Sequence, residues 1–507
     1  MILICAIALT VGVVRAQDLG TDAQREAGKQ VYDKLCAQCH GIDGDGNGVG
    51  KHYFRPQPRE FTLGMFKIRT TPSGELPTTD DIKKVIRDGM PYSGMPAWPS
   101  LSDEEITNVA YYIKNFTEDF ADPDFNVPPI DVPKAPKYST ESAELGKAFY
   151  EENKCADCHG VNGRGNGKSS PTLVDEWNQT IRPADLTKRW TFRGGSRRED
   201  IYRTFSTGLN GSPMPSYADL IEPDDRWHLV DYVYSFSRDE ADYSTVVVAA
   251  GAETDIDINM GPALFDNAEP AYFSVFGQIM EPGRAFYPGV NGIEVRAVYN
   301  EEEIAVLLTW HDMTGETTGM NDPSLQAPVF EVGVEEAVGA GDYSDAVAMQ
   351  VPMQNPAGVA KPYFLFGDTK NAVDISFFDL AKQAGERIVG RGSQVLDNLG
   401  EDIRRWAQWE DGRWNVIFTL PRHRDEGLSF DEGSFVPVAF SVWDGFNRER
   451  GNKRGVTSWY SVYLEPLQAE SPAKSIVGYA ILTLLIEVTV IGVVRWKNGA
   501  RAQEEKV

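Results

Sequence analysis

The pattern of apolar and polar positions divides this chain into four textures. Residues 2–14 are apolar, and Val14-Arg15-Ala16 ahead of Gln17 resembles a small-residue cleavage site, so 1–16 reads as a secretory leader, although no charged segment precedes the apolar run. Helical periodicity follows. Ala27, Val31 and Leu35 share one face of a helix from Thr21 to Leu35. Ser102-Asp103-Glu104-Glu105 is a capping sequence that opens a helix from Glu104 to Phe116. Pro223-Asp224-Asp225 opens another through Trp227, Val230 and Tyr234, and Gly- and Pro-rich connections fill the space between. From about Val246 the texture turns to alternating, β-branched and aromatic runs, among them Glu294–Tyr299, Ile304–Trp310, Asn415–Leu420 and Val436–Trp443. Separated by turn residues, they predict an all-β sandwich over 246–466. Ser475 to Val494 is a mostly apolar run of twenty residues, enough to cross a bilayer once as a helix.

The helical region contains a duplication. Glu26-Ala27-Gly28-Lys29 recurs as Glu144-Leu145-Gly146-Lys147, and the Gly-rich loop Gly41–Gly48 recurs as Gly160–Gly167. Asp81-Ile82, Gly89, Met95-Pro96 and Trp98 match Asp200-Ile201, Gly208, Met214-Pro215 and Tyr217, each pair 119 residues apart. Two copies of one all-α domain are expected, over 22–119 and 141–240. The linker between them, 120–140, carries Pro123, Pro128, Pro129, Pro133 and Pro136 and should be extended and semi-rigid.

Each copy carries the same chemistry, Cys36-Ala37-Gln38-Cys39-His40 and Cys155-Ala156-Asp157-Cys158-His159. Cys-x-x-Cys-His is the attachment sequence for c-type haem: the thiols add across the vinyl groups and the histidine takes one axial face of the iron. The fifth cysteine, Cys5, lies in the leader, so no thiols remain for disulfides. Tetrahedral zinc is excluded by the spacing, since each pair runs straight into its histidine. Two covalent haems c are therefore expected, with His40 and His159 as ligands. The sixth ligands should be Met95 and Met214, both fifty-nine residues beyond the first cysteine and held beside a proline. Met90, His52 and His228 compete, but none has a like residue in the other copy. His/Met ligation raises a haem's potential relative to bis-His.

With 75 acidic against 49 basic side chains, the formal charge of −26 argues against nucleic acid and anionic membrane surfaces as partners and fits a soluble electron-transfer protein with a basic docking face. Arg495, Lys497 and Arg501 follow the apolar run over 475–494, which places the tail 495–507 in the cytoplasm and the bulk of the chain on the periplasmic side of the inner membrane. Tyr479 and Trp496 would lie near the two interfaces. Glu487 breaks the run, and an intramembrane carboxylate usually faces a partner or a wet cavity.

On these motifs, and on Phe66-Lys67-Ile68-Arg69-Thr70-Thr71-Pro72-Ser73-Gly74-Glu75-Leu76-Pro77, residues 22–240 resemble two class I cytochrome c domains in tandem, like the dihaem subunits of respiratory complexes. The resemblance implies that Arg55-Pro56 and Arg182-Pro183 lie at the haem edges, with the arginines near propionates. Asp345–Pro352, Phe440–Gly445 and Lys453 ahead of Ser458-Trp459-Tyr460 resemble the haem-binding γ subunit of ethylbenzene dehydrogenase, whose relatives serve molybdenum enzymes of the dimethyl sulfoxide reductase family, nitrite oxidoreductase included. That family's b-type haem has Met and Lys ligands. Lys453 falls where the Lys is expected, but the segment 362–368 that should supply the Met has none. A third haem, of b type, would need Met349 or Met353; otherwise the sandwich is a docking platform.

The leading expectation is a membrane-anchored electron-transfer subunit of a respiratory complex, non-catalytic itself. It would work between a molybdenum-containing or cytochrome b-type partner subunit and a soluble electron carrier or terminal oxidase. A dihaem peroxidase is disfavoured because both copies supply a Met to the sixth position, and a haem-linked ligand sensor is the third reading.

Overall fold

The computed structural model describes residues 16–466 and 472–504, apart from 239, 253–254, 332–333, 335, 340, 357–360 and 425–426. Residues 1–15 of the expected leader, Cys5 among them, lie outside the described residues.

Among the described residues, eight α-helices precede the first strand. In the first copy these are α1 (Asp22–Leu35), α2 (Ala37–His40), α3 (Thr79–Asp88) and α4 (Asp103–Lys114); in the second, α5 (Thr140–Glu152), α6 (Ala156–His159), α7 (Arg198–Thr207) and α8 (Asp225–Ser235). The terminal helices start where their caps dictate. Thr21 and Gln24 form a capping box on α1, and Ser102 and Glu105 form one on α4. The first and last helices of each copy cross at a glycine: a Cβ on Gly28 would run into the Asn108 carbonyl, and one on Gly146 into the His228 carbonyl. The motifs, the Gly-rich loops and the methionine loops keep a 119-residue offset, but Gly28 and Gly146 are 118 apart. Lys154, at φ +57°, takes up the extra residue between α5 and Cys155. α3 and α7 are additions to the sequence reading. α3 opens on a Thr78–Asp81 capping box and buries Ile82 and Ile86.

The linker runs without regular secondary structure beyond Asn126. It is tied to both copies: Ile130 donates its N–H to the Thr70 carbonyl (2.8 Å), and Arg198 donates to the Pro136 carbonyl (2.6 Å).

The C-terminal half is a sheet domain: β1 (Val246–Gly251), β2 (Ala271–Ser274), β3 (Phe276–Gly277), β4 (Gly292–Tyr299), β5 (Glu303–His311), β6 (Ala346–Pro352), β7 (Val373–Asp379), β8 (Gly385–Gly390), β9 (Leu396–Ile403), β10 (Arg405–Glu410), β11 (Arg413–Pro421), β12 (Phe435–Trp443), β13 (Gly455–Val456) and β14 (Tyr460–Leu464). The main path runs β10-β11-β5-β4-β1-β14-β12-β6-β7-β8-β9. Its centre is β12, which pairs with β14 through Phe435–Val438 and with β6 through Ala439–Trp443. The two halves face each other across one apolar core. Val295, Val306, Leu308 and Trp414 come from one side, Val347, Met349, Val351 and Phe378 from the other, and Phe378 stacks on Phe418 with ring centroids 4.8 Å apart. After the sandwich, α9 (Pro472–Glu504) contains one stretch, Ile476–Trp496, that is long and apolar enough to cross a membrane and is packed on nothing else among the described residues.

Candidate functional site

Each haem-attachment motif sits on a single helical turn, α2 or α6, behind the first long helix of its copy. All four motif thiols are free and half-buried. Burial pushes Cys36 up to about 12 and Cys155 up to about 11, so the thiols stay protonated. Burial lowers both histidines, which keeps the imidazoles neutral, as a metal ligand must be. His40 Nδ1 bonds the Arg59 carbonyl at 2.9 Å and His159 Nδ1 bonds the Ala184 carbonyl at 3.0 Å. A carbonyl accepts only, so Nδ1 carries the proton and the bare Nε2 is left for iron. Tyr32 and Tyr150 brace the motifs from behind by donating to the Gly41 and Gly160 carbonyls at 2.7 and 2.6 Å.

The methionine loops are built alike. Met90 N–H donates to the Met95 carbonyl and Leu209 N–H to the Met214 carbonyl, both at 3.0 Å. Ser93 and Ser212 hydroxyls donate to the Met90 and Leu209 carbonyls at 2.7 Å. Trp98 and Tyr217 then stitch the loops to α3 and α7 through the Ile86 and Phe205 carbonyls. Met90 thus aligns with Leu209, which removes it as a general ligand. His228 is taken by the Ser142 hydroxyl at 2.8 Å. Each copy thus has a thiol pair, a pre-oriented imidazole and a methionine in a braced loop, side chains of the kinds that a c-type haem would require.

Pro58, not Pro56, is the counterpart of Pro183. A Cβ on Gly46 would lie 3.1 Å from the Pro58 carbonyl, and one on Gly165 would lie 2.9 Å from the Pro183 carbonyl. The residues that follow, Arg59 and Ala184, hold the two histidines. Both arginines expected at the haem edges meet the sandwich. The Arg55 guanidinium lies 4.8 Å from the Tyr287 ring centroid, and Arg182 pairs with the fully buried Asp444 and donates to the Gly289 carbonyl. Burial works against the Arg182 cation, but Asp444 and Asp312 more than offset it and raise its pKa.

These contacts belong to a pattern that sequence reasoning missed. The loop that orients His40 docks on the second copy, where Arg59 pairs with Glu176 and lies over Trp177. Close by, the buried Arg69 donates to the Thr207 carbonyl at 2.8 Å. The loop around His159 docks on the sandwich through Arg182, through Arg164 with Asp411 (2.8 Å) and through Asn162 with Asp411 (2.7 Å).

Lys453 gives its ammonium to Glu336 (3.2 Å) and to the Asn447 carbonyl (3.0 Å). Met349 is fully buried in the core between the sheets.

Family comparisons parallel this geometry. Residues 23–113 match the model of subunit III of cbb3-type cytochrome c oxidase, 143–237 that of cytochrome c and 263–387 that of ethylbenzene dehydrogenase. A Haloferax mediterranei protein provisionally named respiratory nitrate reductase heme subunit ORF7 is 25% identical over 38% of this chain and 67% of its own length. The cbb3-type cytochrome c oxidase subunit CcoP of Rubrivivax gelatinosus is 28% identical over 44% of this chain, but the match spans only 58% of that protein. Among solved structures, a chain of the reducing HAO-like protein complex of Kuenenia stuttgartiensis is 42% identical, with a TM-score of 0.40 over 42% of this chain and 96% of that one.

Proposed function

We propose, for a chain that carries two cytochrome c-type domains ahead of an ethylbenzene dehydrogenase-like domain, that it is the membrane-anchored, two-haem electron-transfer subunit of a respiratory complex. One observation carries the reading: motif, histidine-orienting carbonyl and braced methionine loop are assembled twice in the same way. Cys36 and Cys39, and Cys155 and Cys158, would hold the two haems covalently, with His40/Met95 and His159/Met214 as axial pairs. Bound haem supplies reversible one-electron transfer. The chain's residues do the rest. Arg59 and Ala184 carbonyls fix the imidazoles, Ser93 and Ser212 shape the loops that present the thioethers, and flanking aromatics such as Phe61, stacked on His40 at 4.5 Å, keep water from the ligand.

Arg182, committed to Asp444, is a docking residue. The sandwich is better read as a platform than as a third haem site. Its expected lysine ligand is ion-paired, and a ligating amine must lose its proton first. Ile476–Trp496 would anchor the chain in the inner membrane with the haems on the periplasmic side. The partner is a molybdenum-containing or cytochrome b-type subunit; the relatives are named as subunits of a respiratory nitrate reductase and of a cbb3-type oxidase, which supports a place in a complex.

A pyridine haemochrome assay on the purified full chain should return two c-type haems and no b-type haem. Redox titration should show both at the positive potentials of His/Met ligation. Rapid peroxide turnover by the isolated chain would overturn the transfer role, because it needs an open sixth position.

A further inference from the structure

Five carboxylates converge in the sandwich beside the arginine that docks the second cytochrome domain. Asp312 and Glu316 follow β5, Asp345 precedes β6, and Asp444 and Glu449 follow β12. All are buried, Glu316 the most exposed at 6%. Two of them are engaged by three N–H donors each, whereas Asp444 accepts from Arg182 and from the Asn447 N–H (2.9 Å), and Asp312 Oδ1 accepts only a longer bond from the Thr314 N–H (3.4 Å). Asp345 accepts from the backbone of Glu316 and Gly445, both at 2.7 Å, and from the Trp414 indole at 2.8 Å. Glu449 accepts from the backbone of Gly289 (2.7 Å) and Asp444 (3.0 Å) and from the Asn447 amide (2.8 Å).

The other three are arranged differently. Oxygens from Asp312, Glu316 and Asp444 all lie within 4.8 Å of one another. Asp312 Oδ2 and Glu316 Oε2 are buried with no hydrogen-bond partner among the described residues. An ionised carboxylate left in that state is strongly unfavourable unless a proton or a cation joins it. Burial pushes both groups upward, so the site is short of positive charge even with Arg182 present.

We infer that Asp312, Glu316 and Asp444 bind a calcium ion at the seat of the second cytochrome domain. The ligands are hard oxygens, and two oxygens each roughly 2.3–2.6 Å from one calcium can be separated by as much as these are. Magnesium demands a tighter octahedron and keeps its waters, which suits a buried cage poorly. Zinc and copper favour imidazole or thiolate, and the group contains neither. A dication together with the Arg182 guanidinium balances the three ligating carboxylates, while burial pushes Asp345 and Glu449 upward towards their neutral forms. Because Asp444 would serve both cations, the ion would hold Arg182 in place and thereby tie the second haem domain to the sandwich.

The test uses the haem-loaded full chain in detergent. After equilibration with calcium and dialysis against metal-free buffer, elemental analysis should find about one calcium per chain. EGTA should remove it and lower the melting temperature by several degrees, with calcium but not magnesium restoring it. The double variant Asp312→Asn, Glu316→Gln should hold no calcium and ignore EGTA. If that variant does not fold, the wild-type metal content and the EGTA response decide alone. A metal-free wild type whose melting is unmoved by calcium or EGTA would overturn the inference in favour of protonated carboxylates. So would equal rescue by magnesium, or a variant that keeps its calcium.

Discussion

Met95 and Met214 are held by loops whose hydrogen bonds match one for one, and this makes them separable experimentally. Met95→Ala and Met214→Ala should each retain two covalent haems, since the thioether attachments are untouched. Each should lose about half of the near-infrared thioether-to-iron band and shift one midpoint potential downward. An unchanged spectrum in either variant would remove that methionine from the ligand set. Lys114 offers a test of the first domain's interior. It is fully buried on α4, donating to the Asp18 carbonyl (3.1 Å) and the Thr79 hydroxyl (2.5 Å), and burial lowers it to about 8. The unfolded chain titrates near 10.4. Between those values the unfolded state binds more protons, so stability should rise as pH climbs from about 8 to about 10.4. Lys114→Met should flatten that rise, as measured by melting temperature against pH. The candidate attachment residues are legible in the sequence because haem attachment demands contiguous Cys-x-x-Cys-His. The docking role of Arg182 is not, since its partner Asp444 is 262 residues away.

The crossings of α1 with α4 and of α5 with α8 bring backbones together at Gly28 and Gly146. Alanine at either position would push a Cβ into a carbonyl oxygen and spread the helices, at a cost of about 1–3 kcal/mol of overpacking. Gly146→Ala should therefore lower the melting temperature of the haem-loaded protein without changing its haem count. Loss of haem with unchanged melting would contradict this account. Sequence periodicity found these helices because their caps and apolar faces are local. It passed over α3 and α7, ten residues each and set among Gly and Pro, although Asp81-Ile82 and Asp200-Ile201 already marked them as repeated. The strands β4, β5, β11 and β12 were visible from their β-branched runs, whereas their order in the sheet depends on pairing between distant segments. Pro56 was matched to Pro183 by its Arg-Pro dipeptide. The true counterpart, Pro58, is identified by where its carbonyl stands, which no dipeptide encodes.

Across the whole molecule, the first cytochrome domain leans on the second and the second on the sandwich, which the first also meets directly through Tyr53 and Arg55, with α9 beyond. The stretch Ile476–Trp496 is unburied along its length, so nothing else among the described residues shelters Glu487. The Thr483 and Thr489 hydroxyls donate to the Tyr479 and Leu485 carbonyls of their own helix, at 2.8 and 2.6 Å. We predict that Glu487→Leu leaves membrane insertion and haem content intact but weakens copurification of a partner subunit, since a carboxylate in hydrocarbon needs a companion. An unchanged complex would mean that the helix is only a tether. The strand β12 has a further consequence. Because half of it is laddered to one sheet and half to the other, neither sheet can let go of it alone. Amide protons on β6 and on β14 should therefore exchange with deuterium through a common opening event. The sandwich would then come apart in a single step under denaturant, even while the cytochrome domains melt on their own schedule.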